Sequence, residues 1–264
     1  MIYADTPVPH FRFEHLSRYA DRVSHLVSTR LGHGRADFTV GLNGYRPAPE
    51  VLANRQQLAQ LLGLRLADMV FAQQVHADGV AVVGEAQRGK GAHERSTAMP
   101  NADALITATP DVVLVALAAD CVPLLMYDPV RHVAASVHSG WRGTAVRVAY
   151  NAVMQLVKCF GVDAAHLLVG IGPSIGACCY HVGPEVVRAM RLAIPDADGL
   201  LGPADAQGNP TFDLWEANRR LLLQAGVLPH NIEVAQLCTR CHSAQFFSAR
   251  TGDEGRFGAF IALR

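Results

Sequence analysis

Residues 112–139 read VVLVALAADCVPLLMYDPVRHVAASVHS. Three apolar runs in it, Val112–Ala118, Leu124–Tyr127 and Val133–Val137, follow one another with turns between them and no helix. That clustering predicts an α+β (mixed α/β) domain and argues against a doubly wound one, in which strands and helices alternate. Working outward, similar runs occur at Val80–Val83, Leu167–Ile171, Ile232–Ala235 and Phe257–Ala262. Helical periodicity covers Pro49–Leu62 and Thr144–Phe160, followed by Gly63 and Gly161 as stops. Asp213–Gln224 is a third helix, with Asp213 and Glu216 in capping-box spacing and Gly226 after it. The segments Glu85–Asn101 and Asp196–Thr211 read as exposed loops. No repeat, low-complexity tract or composition shift divides the chain, so residues 1–264 are expected to form one domain.

Composition narrows the function. Half of the 264 residues are hydrophobic and 17% are charged, which fits a folded globular chain. Lys plus Arg and Asp plus Glu are both 23, a neutral balance that argues against nucleic acid as the main partner. A small anion held by one or two basic residues is still compatible with it. The first 25 residues carry scattered charges without an apolar core of signal-peptide length. The best unbroken apolar run, Val112–Ala119, is far short of the ~20 residues needed to cross a bilayer. A cytoplasmic protein is therefore expected, with no membrane partner and with its six cysteines as thiols.

Three polar residues stand where apolar runs begin or end. His76 precedes the Val80 run, Cys121 follows Asp120 directly after Val112–Ala119, and His138 ends Val133–Val137. Strand ends beside glycine turns are common ligand positions, because backbone polar groups are free there. One thiolate and two imidazoles can hold a tetrahedral zinc with its fourth position open, and such a metal brings water's pKa towards ~7. The same residues also suit a metal-free Cys–His nucleophile pair, or a buried thiol with two hydrogen-bonded histidines. Their separations of 45 and 17 positions match no short zinc signature. Gly140-Trp141-Arg142-Gly143-Thr144 opens the Thr144–Phe160 helix. A glycine turn entering a helix there offers free N–H groups, and Arg142 a bidentate charge, to phosphate or carboxylate; a plain helix cap fits as well.

Two further motifs read as packing or turns. Cys238-Thr239-Arg240-Cys241-His242 has the c-type haem spacing, but nothing marks the chain for export, and a zinc knuckle needs a second ligand pair. Adjacent Cys178 and Cys179 cannot both face one side of a strand or bind one metal comfortably, and are expected to pack. Gly170-Ile171-Gly172-Pro173-Ser174-Ile175-Gly176 misplaces the last glycine of a dinucleotide loop and reads as a tight turn.

Six ordered motifs taken together resemble the YfiH/YlmD family, also known as laccase-domain or multicopper polyphenol oxidase-like proteins. They are Gln74-Val75-His76, Ala102–Thr107, Ala119–Pro129, His138–Gly143, Gly172–Tyr180, and Cys238-Thr239 with Phe246-Phe247-Ser248. The resemblance implies two packed mixed sheets with helices outside, and a zinc site on His76, Cys121 and His138. It implies a zinc-dependent purine nucleoside phosphorylase with adenosine deaminase activity, taking a nucleoside and phosphate. Asn43 is then a substrate contact, Arg142 holds phosphate, and Asp120 orients a ligand histidine, shuttles a proton or supports the Cys121 turn structurally. Copper-dependent phenol oxidation is an alternative, although His-x-His never occurs in the chain; a Cys–His hydrolase acting on cell-wall precursors is another. Departures from the family pattern include Ala77, Ser139, Ala177, His181, Ala249 and Thr251, and a long Glu85–Asn101 loop.

Overall fold

The computed structural model describes residues 1–32, 34 and 36–264. In chain order the strands are β1 (Ile2–Ala4), β2 (His10–Arg12), β3 (Val23–Ser28), β4 (Met69–Phe71), β5 (Val80–Val82), β6 (Ala104–Thr107), β7 (Val113–Ala118), β8 (Val122–Asp128), β9 (Val133–Ser139), β10 (Leu168–Ile171), β11 (Leu201–Ala204), β12 (Pro210–Phe212), β13 (Ile232–Val234) and β14 (Phe257–Leu263). The α-helices are α1 (Glu14–Ser17), α2 (Ala48–Leu61), α3 (Trp141–Ala145), α4 (Val148–Phe160), α5 (Pro184–Ala193) and α6 (Leu214–Gln224).

Two six-stranded sheets form, in the orders β1-β2-β3-β14-β7-β4 and β13-β10-β8-β9-β6-β5. Each is antiparallel through its centre and takes parallel pairs only towards its ends: β7 with β4 in the first, β10 with β13 and β6 with β5 in the second. The mixed α/β class and the pair of mixed sheets therefore stand as expected.

The apolar runs are continuous because both faces of the central strands are covered. On β8 and β9, Val122, Leu124, Met126, Val133, Ala135 and Val137 point to a core shared with α4, α5 and α6. Leu125, Tyr127 and Ala134 point the other way, into a core between the sheets with Leu114, Ala118, Phe257, Ala259 and Ile261. Leu26, Val113, Val115 and Phe260 meet Leu58, Ala59 and Leu62 of α2 and its end on the far side of the first sheet. The order of layers is helix, sheet, sheet, helices.

The helix expected over Thr144–Phe160 is split. Arg147 is left-handed at φ 63°, and α4 starts only at Val148. The Arg147 N–H reaches back to the Thr144 carbonyl rather than one residue further, tightening the last turn of α3. Gly161 ends α4 in the left-handed conformation, as a C-terminal glycine does. Asp213 caps α6 by accepting from the Glu216 N–H. The segment expected as a loop over Asp196–Thr211 contains most of the β11–β12 hairpin. Among the described residues no helix is long and apolar enough to cross a membrane.

Candidate active site

Three chain segments converge at the end of the sandwich. The first leaves β4 and runs through Gln74 and His76, both with positive φ. The Gln74 amide donates to the Leu117 carbonyl and accepts the Leu117 N–H, each at 2.8 Å, so a side chain continues the parallel β4–β7 pairing beyond its last backbone bond. The second is the Ala119–Cys121 turn between β7 and β8, with Asp120 at φ 85°. The third is the end of β9, which carries His138.

They bring His76, Cys121 and His138 together, with ligand atoms all within 4.8 Å of one another. Cys121 Sγ lies 4.0 Å from His76 Nε2, and the two imidazole rings meet edge-on with centroids 4.9 Å apart. Gly140 permits this closeness. A Cβ there would stand 2.7 Å from Cys121 Sγ and 3.2 Å from His76 Cδ2.

A buried carboxylate organises the group. Asp103 accepts from His138 Nδ1 at 2.8 Å and from the backbone N–H groups of Val75, His76 and Ala77 at 2.9–3.1 Å. One side chain thus fixes the His76 loop and the His138 ring. With Nδ1 committed to Asp103, His138 presents Nε2 to Cys121, the carboxylate–histidine arrangement common around metals. Burial would raise the Asp103 pKa, but the His138 and backbone hydrogen bonds hold it below its usual value. Burial likewise opposes ionisation of Cys121, yet the charge and hydrogen bonds of His138 and a hydrogen bond from His76 lower its thiol to about 6. Burial also disfavours charged His138; the Cys121 charge and the Asp103 hydrogen bond overcome it and raise the imidazole to about 9. With no metal bound, these shifts favour a thiolate at Cys121 beside a protonated His138.

The donor set fits a metal: two imidazole nitrogens and an easily ionised thiol, convergent, with one ring oriented from behind. His76 is exposed, Cys121 half-buried and His138 buried, so the group faces outward. It opens into a cavity of about 370 Å³, within the range of small-molecule sites. Asn43, Gln73 and Gln74 contribute polar lining; Phe71, Ala98 and Leu117 contribute apolar wall. Arg55, Arg95 and Arg256 also line it, and among the described residues none of the three is ion-paired. Arg55 is 2% exposed, donates only to the carbonyls of Val40, Gly91 and Ala92, and stacks on Phe71. Burial lowers its pKa to about 9.

Asn43 lines the cavity, its amide donating to the Glu254 carbonyl. Arg142 does not line it; its guanidinium stacks over Trp141 at 4.2 Å, and the Gly140 turn enters a helix of only five residues. The histidine-orienting role expected of Asp120 falls to Asp103. Asp120 instead accepts from the Thr239 hydroxyl and the Arg250 N–H, tying two later loops to the Cys121 turn. Sequence reasoning passed over Asp103 and Arg55. The signals were a lone carboxylate at the head of the Ala104–Thr107 run and an arginine on the apolar stripe Val51, Leu58, Leu62. It also treated Cys178, Cys179, Cys238 and Cys241 as unconnected, whereas their sulfurs all lie within 4.8 Å of one another. A turn, and not a strand, carries Cys178 and Cys179, so both thiols reach the same side.

A two-sheet α/β sandwich with a Cys–His–His group at the mouth of a cavity defines a laccase-like class of protein. The chain belongs to the family described as multi-copper polyphenol oxidoreductase laccase, whose model matches residues 25–264. It is 36% identical over 251 residues to the purine nucleoside phosphorylase YlmD of Geobacillus stearothermophilus, covering 93% of this chain and 92% of that one. It is 37% identical over 203 residues, 77% of each chain, to adenosine deaminase RL5 from an unknown prokaryotic organism. The crystal structure of the Bacillus licheniformis hypothetical protein YfiH superposes with a TM-score of 0.92 at 33% identity, covering 99% of each chain.

Proposed function

We propose that the protein is a zinc-dependent purine nucleoside phosphorylase that also deaminates adenosine. The observation that carries this reading is the His76–Cys121–His138 group opening into a cavity that holds three arginines without ion-pair partners. Names of the relatives support the substrate class, and the cavity chemistry supports an anionic co-substrate. His76, Cys121 and His138 would hold the metal. Zinc bound there supplies Lewis acidity that activates water or polarises a bound substrate near neutral pH.

The remaining work falls to the chain itself. Arg55, Arg95 and Arg256 attract phosphate and hold it in the cavity, the field of Arg55 strengthened by its burial. Phe71, Ala98 and Leu117 pack against the purine, and Asn43 gives a hydrogen-bonding contact near the entrance. Phosphate attacks C1′ as the glycosidic bond loosens, and fixed dipoles at the site stabilise the oxocarbenium-like centre and the departing base. Asp103 keeps His138 in one tautomer throughout. The phosphate site proposed at Arg142 on sequence grounds has less support than these cavity arginines.

Chromatography of adenosine and inosine incubated with the protein, with and without phosphate, tests the reading. Release of free base should require phosphate, whereas conversion of adenosine to inosine should not. Absence of any phosphate-dependent base release overturns the phosphorylase assignment.

A second reading, a Cys–His hydrolase of an amide or ester, draws on the thiolate–imidazolium pair. Chelation separates the two: such a hydrolase survives it, and the nucleoside activities do not. Copper-dependent phenol oxidation has less support, since among the described residues only one donor group contains histidines and it is of single-metal size. Oxidase turnover after copper loading would revive it.

A further inference from the structure

Four cysteines outside the cavity converge from two loops. Cys178 and Cys179 lie in the turn after β10, closed by Cys179 and Tyr180 N–H bonds to the Gly176 carbonyl. Cys238 and Cys241 lie in the turn after β13. The two loops are stitched together beside the cluster: Ser174 N–H donates to the Leu237 carbonyl and Thr239 N–H to the Ser174 carbonyl. Cys241 Sγ is 3.5 Å from both Cys178 Sγ and Cys179 Sγ, and all four cysteines are free.

These distances are those of a single coordination sphere. Zinc–sulfur bonds of about 2.3 Å at tetrahedral angles place the sulfurs about 3.8 Å apart. An iron–sulfur cluster interposes inorganic sulfide and spreads its cysteines more widely. Backbone N–H groups of Gly176 and Cys241 point hydrogen bonds at Cys238 Sγ, support that a coordinated thiolate uses. His242, the last residue of the haem-like motif, turns its Nδ1 to the Cys238 carbonyl and takes no place among the sulfurs.

We propose that Cys178, Cys179, Cys238 and Cys241 form a second metal site, a structural one, which takes one thiophilic divalent cation of the zinc class in an all-thiolate tetrahedron. Four protein donors leave no open position, so the site is structural and not catalytic. Its mechanical role follows from its neighbours. Thr239 donates to the Asp120 carboxylate, and the Ile175 N–H donates to the Asp120 carbonyl at 2.9 Å. A metal fixing the two loops therefore steadies the turn that carries Cys121.

Elemental analysis and cobalt substitution of the full-length protein test this. The wild type should bind two equivalents of Zn²⁺ or Co²⁺. The double variant Cys178→Ser/Cys241→Ser should bind one, and its thiolate-to-cobalt absorption should fall to roughly one fifth, since only the Cys121 bond remains of five. Cys121→Ser should keep the four-cysteine spectrum, which separates this proposal from the nucleoside reading. Should the double variant not fold, alkylation of the wild type decides: zinc should protect the four thiols, and a chelator should expose them. A single metal equivalent in the wild type that the double variant retains overturns the proposal. So does a Cys178–Cys241 disulfide, found by mass spectrometry in the protein as isolated.

Discussion

Two sulfur-bearing groups adjoin the Asp120 turn, and they differ in how much of a ligand sphere the protein fills. The His76–Cys121–His138 group has three donors from three distant segments, a carboxylate behind one of them and a cavity in front. The four-cysteine group takes all its donors from two loops that are hydrogen-bonded to each other. Residue type alone separates them poorly. On the readings proposed above, donor count and open space are what separate a group for chemistry from one for holding loops in place.

The largest effect is expected from removing a donor of the open group. Cys121→Ala should abolish turnover of adenosine and inosine while leaving the four-cysteine metal in place. Measuring metal content and activity on one preparation checks both halves. Turnover retained without Cys121 would erase the distinction between a working group and a holding one.

Asp103→Asn asks how much the open group depends on the carboxylate behind it. The amide still accepts one N–H bond but no longer matches both the ring and the loop. Loss of such a partner costs about 10–100-fold in metal affinity or activity. The fall should show in metal dissociation constants as well as in kcat, which a merely loosened fold would not produce selectively. Unchanged metal affinity would mean that Asp103 only anchors the Val75–Ala77 backbone.

A smaller effect on catalysis is expected from Cys178→Ser/Cys241→Ser. The open group keeps all its ligands, so activity should fall by less than in Asp103→Asn. Stability should suffer instead, each ~1 kcal/mol lost lowering the midpoint of a chain this size by about 2–4 °C. Thermal denaturation with and without chelator is the check: chelation should lower the wild-type midpoint towards that of the variant.

The sandwich was legible where covering on both faces leaves an unbroken apolar signature. The runs at Val112–Ala118, Leu124–Tyr127, Val133–Val137 and Phe257–Ala262 all lie within or nearly coincide with observed strands. Strand β3 was not legible, because Ser24, His25 and Ser28 interrupt its pattern and are nevertheless buried. The break at Arg147 carries no glycine or proline to announce it. His76, Cys121 and His138 were picked out by their places at strand ends, but their meeting depends on Asp103 and Gly140. Convergence of the four cysteines depends on loop geometry, which spacing does not encode.

Two buried histidines give the last test, one confined to acid pH and without effect on the site at neutral pH, because they shift in opposite directions. His138 faces Asp103 and Cys121 and is raised to about 9. His25 lies on β3, where burial, with the Arg12 charge adding to it, lowers its pKa to about 3; its Nε2 accepts the Phe13 N–H at 2.9 Å. An imidazole that must accept cannot also carry a proton there. The folded state thus binds fewer protons at His25 than the unfolded chain, whose histidine titrates near 6.5. The stability this group contributes is complete above that value and is lost as pH falls from about 6.5 towards about 3. The slope of unfolding free energy from this one group approaches about 1.4 kcal/mol per pH unit in that window. His25→Gln keeps an acceptor for Phe13 but removes the titration, so its stability should change less steeply with pH than that of the wild type. Urea denaturation midpoints at several pH values between 4 and 7 measure the difference, and parallel curves for the two proteins would show that His25 is not held neutral.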